Sequence, residues 1–275
     1  MHLSAAIIYL HAITPVHSGT GQAAAVIDLP IAREKATGWP VIPASSLKGV
    51  LRALLGSGED DARFGSKDQA GAWCFGDQRI LCLPVRSFFG TFAYVTCPLA
   101  LARLCRDAEA LGAERPFTQA PSSVDEQRIL VTRGSALARN GKVYLEDLDF
   151  DAAEEEVAGV VAGALADILF GDSPDRFTER FAIVADSVFD YLSETATEIT
   201  ARVRLKEDTK TVESGGLWYE EAVPAEAIFW GAVVAADHAK RNGAVAGFEE
   251  LKDGLVQIGG DASTGRGLCR MVVQR

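Results

Sequence analysis

Four short clusters hold the residues that could do chemistry. The first is His17-Ser-Gly-Thr-Gly21, followed by Ile27-Asp28-Leu-Pro30. It joins an imidazole to a carboxylate in an otherwise uncharged stretch, and its glycines let backbone amides approach phosphate oxygens. The alternative is that Asp28 merely caps a turn before Pro30. The second, Pro43-Ala-Ser-Ser-Leu-Lys-Gly49, reads as a helix start capped by Ser45 or Ser46 and bearing Lys48. Such a terminus is a ready anion site, or else an ordinary capped helix with a surface lysine. The third sets Lys206 and Lys210 beside Gly-Gly-Leu-Trp-Tyr-Glu-Glu221. Cations next to Trp218 and Tyr219 suit a nucleic-acid strand, by charge plus stacking. A solvated hairpin with its aromatics in the core is the plainer account. The fourth, Ile258-Gly-Gly-Asp-Ala-Ser-Thr-Gly-Arg-Gly-Leu268, packs four glycines, two hydroxyls and an arginine into eleven residues. It is a phosphate-cradling loop or a glycine-rich turn. No Ser/His/Asp order and no paired-carboxylate spacing points to a hydrolase or glycosidase.

The elements that must position these clusters follow from periodicity. Residues 3–14 are apolar and β-rich, predicting a strand buried on both faces. A Gly-, Ala- and Pro-rich loop covers 15–43. Leu47, Val50, Leu51, Leu54 and Leu55 form one helical stripe, with Lys48 and Arg52 together beside it and Gly56 as its stop. Residues 57–77 lack periodicity and read as a long loop or insertion. Segments 80–85 and 91–96 predict paired strands, Pro98 opens a helix to about residue 111, and 116–142 reads as irregular. Seven carboxylates between Glu146 and Glu156 lead into the stripe Val157, Val160, Val161, Ala164, Leu165, Ile168 and Leu169, ended by Gly171. That run reads as a solvated face and helix entry. A strand at 181–185 precedes Asp186, a candidate cap for a short helix. Ile199, Ala201, Val203 and Leu205 alternate with Thr200, Arg202, Arg204 and Lys206, predicting a hairpin strand with one apolar and one basic face. The last segment is strand, glycine loop, strand. Without a β-α-β rhythm, a strand-proximal GxGxxG or a Walker loop, the fold class is α+β.

Composition sets the outer limits. With 275 residues, 48% hydrophobic and 24% charged, the chain has ample material for a core, and disorder, coiled coil and collagen are excluded. No stretch has the apolar length of a membrane span and the start lacks a basic signal region, so a soluble cytoplasmic protein is expected. The five cysteines form no Cys-x-x-Cys pair and no zinc spacing with histidine, which predicts reduced, mostly buried thiols. A net charge of −11 argues against a generic nucleic-acid binder. Setting aside the seven clustered carboxylates leaves −4, and Arg202, Arg204, Lys206 and Lys210 make a locally basic stretch.

The order of these clusters resembles the RAMP superfamily of CRISPR proteins and, more narrowly, the backbone subunits of Cmr-type (III-B) effector complexes. The resemblance runs from His11-Ala-Ile-Thr-Pro-Val-His17 through Val26-Ile-Asp-Leu-Pro-Ile-Ala-Arg-Glu34 to Ile42-Pro-Ala-Ser-Ser-Leu-Lys-Gly49. It continues through Pro84-Val-Arg-Ser87, Phe92-Ala-Tyr-Val-Thr-Cys-Pro98, Gly216-Leu-Trp-Tyr-Glu-Glu221 and Gly259-Gly260, covering essentially the whole chain.

The resemblance implies a single domain over residues 1–275. It would be a modified RRM or ferredoxin-like palm with irregular finger insertions, a thumb β-hairpin at about 199–221 and a glycine loop at 258–267. Copies would stack in a filament along a guide CRISPR RNA beside other effector-complex subunits, each thumb reaching over the next and displacing a nucleotide. Target RNA would be cut near each displaced position, in antiviral defence. Asp28 matches the loop aspartate required for cleavage; His17 and Glu221, or its neighbour Glu220, match residues near the scissile phosphate. Ser45, Ser46 and Lys48 match the guide-backbone contact. Gly259, Gly260, Thr264, Gly265 and Arg266 belong to the glycine loop. The basic groove would come from Lys48, Arg52, Arg202, Arg204, Lys206, Lys210 and Arg266. Asp28 would hold a divalent ion, Mg2+, or accept a hydroxyl proton, and His17 would act as base or as a donor to the phosphate. The expected products are a 2′,3′-cyclic phosphate and a 5′-hydroxyl. The alternatives are a guide-RNA scaffold without nuclease activity, a nucleotide-binding small-molecule enzyme, and a structural subunit that docks a protein through its acidic face.

Overall fold

The computed structural model describes residues 4–20, 27–55, 61–171, 175–235 and 248–275. Gly21, Val26 and the expected helix stop Gly56 lie outside the described residues. In chain order the elements are β1 (Ala5–Ala12), β2 (Val41–Ile42), α1 (Ala44–Leu54), β3 (Trp73–Phe75), β4 (Gln78–Arg86), β5 (Phe92–Thr96), α2 (Pro98–Leu111), β6 (Arg128–Val131), β7 (Lys142–Leu145), β8 (Leu148–Glu154), α3 (Glu156–Leu169), α4 (Asp175–Thr178), β9 (Phe181–Ile183), α5 (Asp186–Thr195), β10 (Glu198–Leu205), β11 (Val212–Ala222), β12 (Ile228–Ala235), β13 (Gly254–Gln257) and β14 (Leu268–Gln274).

Strand β1 is the centre of the palm. Its alternation sends Ala6, Ile8, Leu10 and Ala12 into a core shared with α1 and α5, and Ile7 and Tyr9 into a second core under α2 and α3. The order β14–β1–β12–β4, antiparallel throughout, with the β1–α1–β4 crossover, is the ferredoxin-like sheet. Helix α1 packs Leu47 and Leu51 inward, but Leu54, expected on the same stripe, is 58% exposed.

The insertion between β4 and β12 builds the other half of the sheet. Strand β4 is long enough to pair with β12 through Arg79–Cys82 and with β5 through Leu83–Arg86. The sheet then runs β5–β9–β6–β8–β7 and curls back, since Ser87 bridges Leu145 and the Glu146 N–H donates to the Arg86 carbonyl. Segments expected to be irregular contain β3 and β6, and most of the acidic run is strand β8 rather than helix entry. Leu148, Phe150 and Ala152 alternate there with exposed Asp149 and Asp151, a period of two that the charge density hides. Four of the five cysteines are buried free thiols, and Cys74 is exposed.

Two helix caps expected from the local sequence do not form, and carboxylates serve helix starts that are remote in sequence. Neither Ser45 nor Ser46 caps α1; its Ala44 N–H donates to Asp77 Oδ1 at 2.8 Å. Asp186 does not cap its own helix α5 and instead accepts from the Leu99 N–H at the start of α2, at 2.9 Å. An orphan N–H at a helix start needs only an acceptor within reach, whether it comes from the local chain or from another element.

The loop before β2 is anchored on α2 and α5. Arg103 donates to Glu34 Oε1 and Oε2 at 2.6 and 2.8 Å, and Trp39 Nε1 donates to Asp190 Oδ1 at 2.5 Å. Burial pushes the Glu34 carboxyl up, but hydrogen bonds from Arg103 and Thr37 and the charges of Arg103 and Arg79 outweigh it and hold it below the usual carboxylate range. A depressed carboxyl contributes stability that is present above its unfolded value near 4.5 and lost as pH falls through the lower folded value. The urea midpoint therefore drops as the pH is taken below 4.5, and Glu34→Gln flattens that drop; parallel curves for the two proteins would remove Glu34 from the acid transition.

Candidate functional site

Three segments meet at the root of the β10–β11 hairpin. Val16 and Val223 exchange backbone hydrogen bonds at 2.8 and 2.9 Å. Leu29 donates to the Tyr219 carbonyl at 3.1 Å and accepts from the Glu221 N–H at 3.0 Å, and Gly19 bridges Ile31. Each loop thereby borrows a strand partner, which is how irregular chain holds a side chain in place.

Asp28 and His17 are both fastened to β11. The Tyr219 N–H donates to Asp28 Oδ2 at 2.8 Å, and Asp28 is otherwise exposed. His17 Nδ1 lies 2.6 Å from the Glu221 carbonyl oxygen. A carbonyl can only accept, so Nδ1 carries the proton and Nε2 keeps its lone pair in the neutral ring. The anchors are two residues apart on the strand, about 7 Å. Gly19 passes over the imidazole where a Cβ would stand 2.8 Å from Nε2, so this glycine makes room for the ring. Behind it, the Gly260 N–H donates to the His17 carbonyl at 2.9 Å, and a Cβ on Gly259 would lie 2.2 Å from that oxygen. The glycine loop thus supports the histidine directly. Gly259, Gly260, Thr264 and Gly265 present their other side to solvent.

The carboxylates of Glu220 and Glu221, matched by the resemblance to residues near the scissile phosphate, are buried in ion pairs. Glu220 is 2% exposed and sits between Arg266 Nε at 3.0 Å and Arg202 Nε at 3.3 Å. Glu221 accepts from Arg33 Nη2 at 2.6 Å, Thr197 Oγ1 at 2.9 Å and the Ile31 N–H at 3.1 Å. Arg266 is buried, with further contacts to Glu198 and to Thr200 Oγ1, so it pins the glycine loop to the hairpin instead of lining a groove. Arg202 is likewise committed to Glu220, and Arg52 donates to the Gly65 carbonyl. Arg33 and Thr197 were not singled out from the sequence. Arg33 stands in the sequence only as part of an Arg-Glu-Lys run in the loop before β2, and Thr197 carries no signal.

The distal hairpin is open on its apolar side. Ile199, Val203, Leu205, Val212, Leu217 and Tyr219 are all exposed, and half-buried Trp218 stands opposite Arg202 on the other face. Arg204, Lys206 and Lys210 are exposed near the tip. Ser45, Ser46 and Lys48 sit in the first half of α1, exposed or half-buried.

Among the described residues no three His, Cys, Asp or Glu side chains converge to hold a metal ion. Asp28 keeps one carboxylate oxygen beyond the Tyr219 N–H. That donor set suits a hard ion that retains most of its waters and completes its shell with phosphate oxygens, as Mg2+ does, and not a closed protein cage.

The RAMP superfamily model matches residues 9–270. The chain is 35% identical to the CRISPR system Cmr endoribonuclease Cmr4 of Pyrococcus furiosus, over 99% of this chain and 96% of that protein. Its fold is similar to the crystal structure of oligomeric Cmr4 from Pyrococcus furiosus, with a TM-score of 0.75, 28% identity and 98% of both chains covered. A chain of the type III-B Cmr-beta complex bound to cognate target RNA shares the fold at 21% identity, with a TM-score of 0.74 over 99% of this chain and 98% of that one.

Proposed function

The chain belongs to the RAMP superfamily, and from that premise we propose that it is a backbone subunit of a type III-B CRISPR effector complex, an endoribonuclease that cleaves complementary target RNA. The convergence of His17 and Asp28 at the hairpin root carries this reading. Its partners are the guide CRISPR RNA, the target RNA, further copies of itself and other effector-complex subunits. The oligomeric form of the similar Cmr4 supports self-stacking. Among the described residues no helix is long and apolar enough to cross a membrane, and we place the protein in the cytoplasm.

In the mechanism we propose, the hairpin displaces one nucleotide, so that its 2′-hydroxyl aligns in line with the adjacent phosphorus. Positioning then supplies much of the acceleration. His17 presents a neutral imidazole whose Nε2 lone pair can take the 2′-hydroxyl proton. The P–O2′ bond forms as the P–O5′ bond breaks, and the leaving 5′-oxygen takes a proton from water, giving a 2′,3′-cyclic phosphate and a 5′-hydroxyl; the proton held on His17 returns to solvent. Asp28 sets a negative charge beside the phosphate path, where it would hold Mg2+; when bound, that ion neutralises charge on the phosphate oxygens. Backbone contacts of the guide fall to Lys48 with Ser45 and Ser46, and to the exposed side of the glycine loop. Arg204, Lys206 and Lys210 follow the RNA along the hairpin.

The guide-loaded assembly is expected to cut a labelled complementary RNA at regular intervals, with cutting lost on chelation of Mg2+ and 5′-hydroxyl ends on the products. RNA affinity falls steeply with added salt, despite the acidic net charge. Products with a 3′-hydroxyl would refute this chemistry. Bound but uncut target would leave the chain a guide-RNA scaffold, a reading that the withdrawal of Glu220 and Glu221 into ion pairs favours.

A further inference from the structure

Glu221 lies beside His17, yet nothing about its carboxylate suits it to exchange a proton with a substrate. Its two oxygens take three donors, from Arg33, Thr197 and the Ile31 backbone, and the residue is 3% exposed. A group that shuttles protons needs a lone pair directed at the reacting atom. What Glu221 offers the site is its backbone. The same residue's carbonyl takes the His17 Nδ1–H at 2.6 Å, and its N–H is held by the Leu29 carbonyl at 3.0 Å.

We propose that Arg33 and Thr197 are positioning residues for His17, acting through the buried carboxylate of Glu221, and that Glu221 itself is not a proton-transfer group. The proposal rests on the reading of His17 as a reacting residue.

Arg33 is built for this task. While Nη2 holds Glu221, Nη1 donates to the Gly38 carbonyl at 2.9 Å and to the Ser193 carbonyl at 3.0 Å, near the end of α5. One planar guanidinium therefore ties the hairpin strand to the palm from which the hairpin rises. Thr197 joins from the short link between α5 and β10, just before the other strand of the hairpin. The clamp fixes the Glu221 peptide, the peptide fixes which ring nitrogen is protonated, and the tautomer leaves Nε2 free to accept. A carbonyl as the orienting partner of an imidazole needs such support, because a backbone oxygen moves with its strand.

The test uses the full chain for imidazole 15N resonances and the guide-loaded assembly for single-turnover cleavage, with target affinity measured in parallel. Glu221→Gln keeps an acceptor for Thr197 and Arg33, and is expected to cost no more than about tenfold in cleavage. Arg33→Met is expected to cost about 100-fold with target affinity retained, as expected for a misplaced reacting group. Its His17 resonances shift from a single Nδ1–H tautomer to a mixture. Arg33→Lys, which keeps the charge, is expected to fall between the two and guards against a variant that fails to fold. Loss of cleavage in Glu221→Gln as deep as in His17→Ala, with the tautomer unchanged, would make Glu221 a reacting group and overturn the proposal. Full cleavage and an unchanged tautomer in Arg33→Met would overturn it as well. If His17→Ala cleaved normally, the reading of His17 would fail, while the tautomer in Arg33→Met would still decide whether the clamp orients the ring.

Discussion

Asp28→Ala is expected to abolish cleavage of a complementary target by the guide-loaded assembly while leaving target binding intact. The side chain is exposed, and among the described residues its one hydrogen bond is that from the Tyr219 N–H, so little of the described fold depends on it. Its charge is a different matter. Glu220 and Glu221 are bound by arginines, whereas Asp28 makes no ion pair among the described residues. Removing a positioned acid–base or ion-holding group costs about 100- to 10,000-fold. Asp28→Asn separates the two contributions, since an amide oxygen still accepts from Tyr219 but carries no charge. Equal loss in the alanine and asparagine variants assigns the effect to charge. Recovery in asparagine would make Asp28 a loop anchor, and cleavage by both at the normal rate would move the chemistry to another subunit.

Gly259→Ala is expected to be nearly as damaging, by an entirely structural route. At φ +87° this position lies where an L side chain is strained, and the new Cβ would fall 2.2 Å from the His17 carbonyl oxygen. Backbone strain and overpacking each cost about 1–3 kcal/mol, and relieving the clash separates the His17 backbone from the glycine loop. Gly265→Ala is the matched control, at φ +86° but with nothing within 4 Å of the new Cβ. Both variants lower the unfolding temperature, whereas Gly259→Ala alone loses cleavage, by about as much as His17→Ala. Equal cleavage in the two glycine variants would show that the glycine loop does not hold the histidine.

Much of this architecture was legible because it rests on periodicity. The alternation in residues 199–206 marked β10, and the apolar run at the start marked a strand buried on both faces, as β1 is. Pro98 opened α2 and the spacing after Val157 outlined α3, since these features depend on the local chain. Strand β3 escaped notice because three residues have no period to detect, and β8 because its carboxylates outweighed its alternation. The caps were misassigned because a serine at a helix start competes with any carboxylate the fold brings there, here Asp77.

The sequence alone determined which residues occupy the hairpin root, the types of group available there, and the succession of elements from which the family resemblance followed. Only the tertiary structure decided which of those groups remain free. Consecutive residues on a strand point to opposite faces, so Glu220 and Glu221 on an isolated hairpin could not both be buried. At the root each face is covered by a different distant segment: Arg266 from the glycine loop holds one carboxylate, and Arg33 from the loop before β2 holds the other. A buried charge needs its partner in contact. Those partners come from 46 and 188 residues away, so the assignment belongs to the packing and not to the pattern.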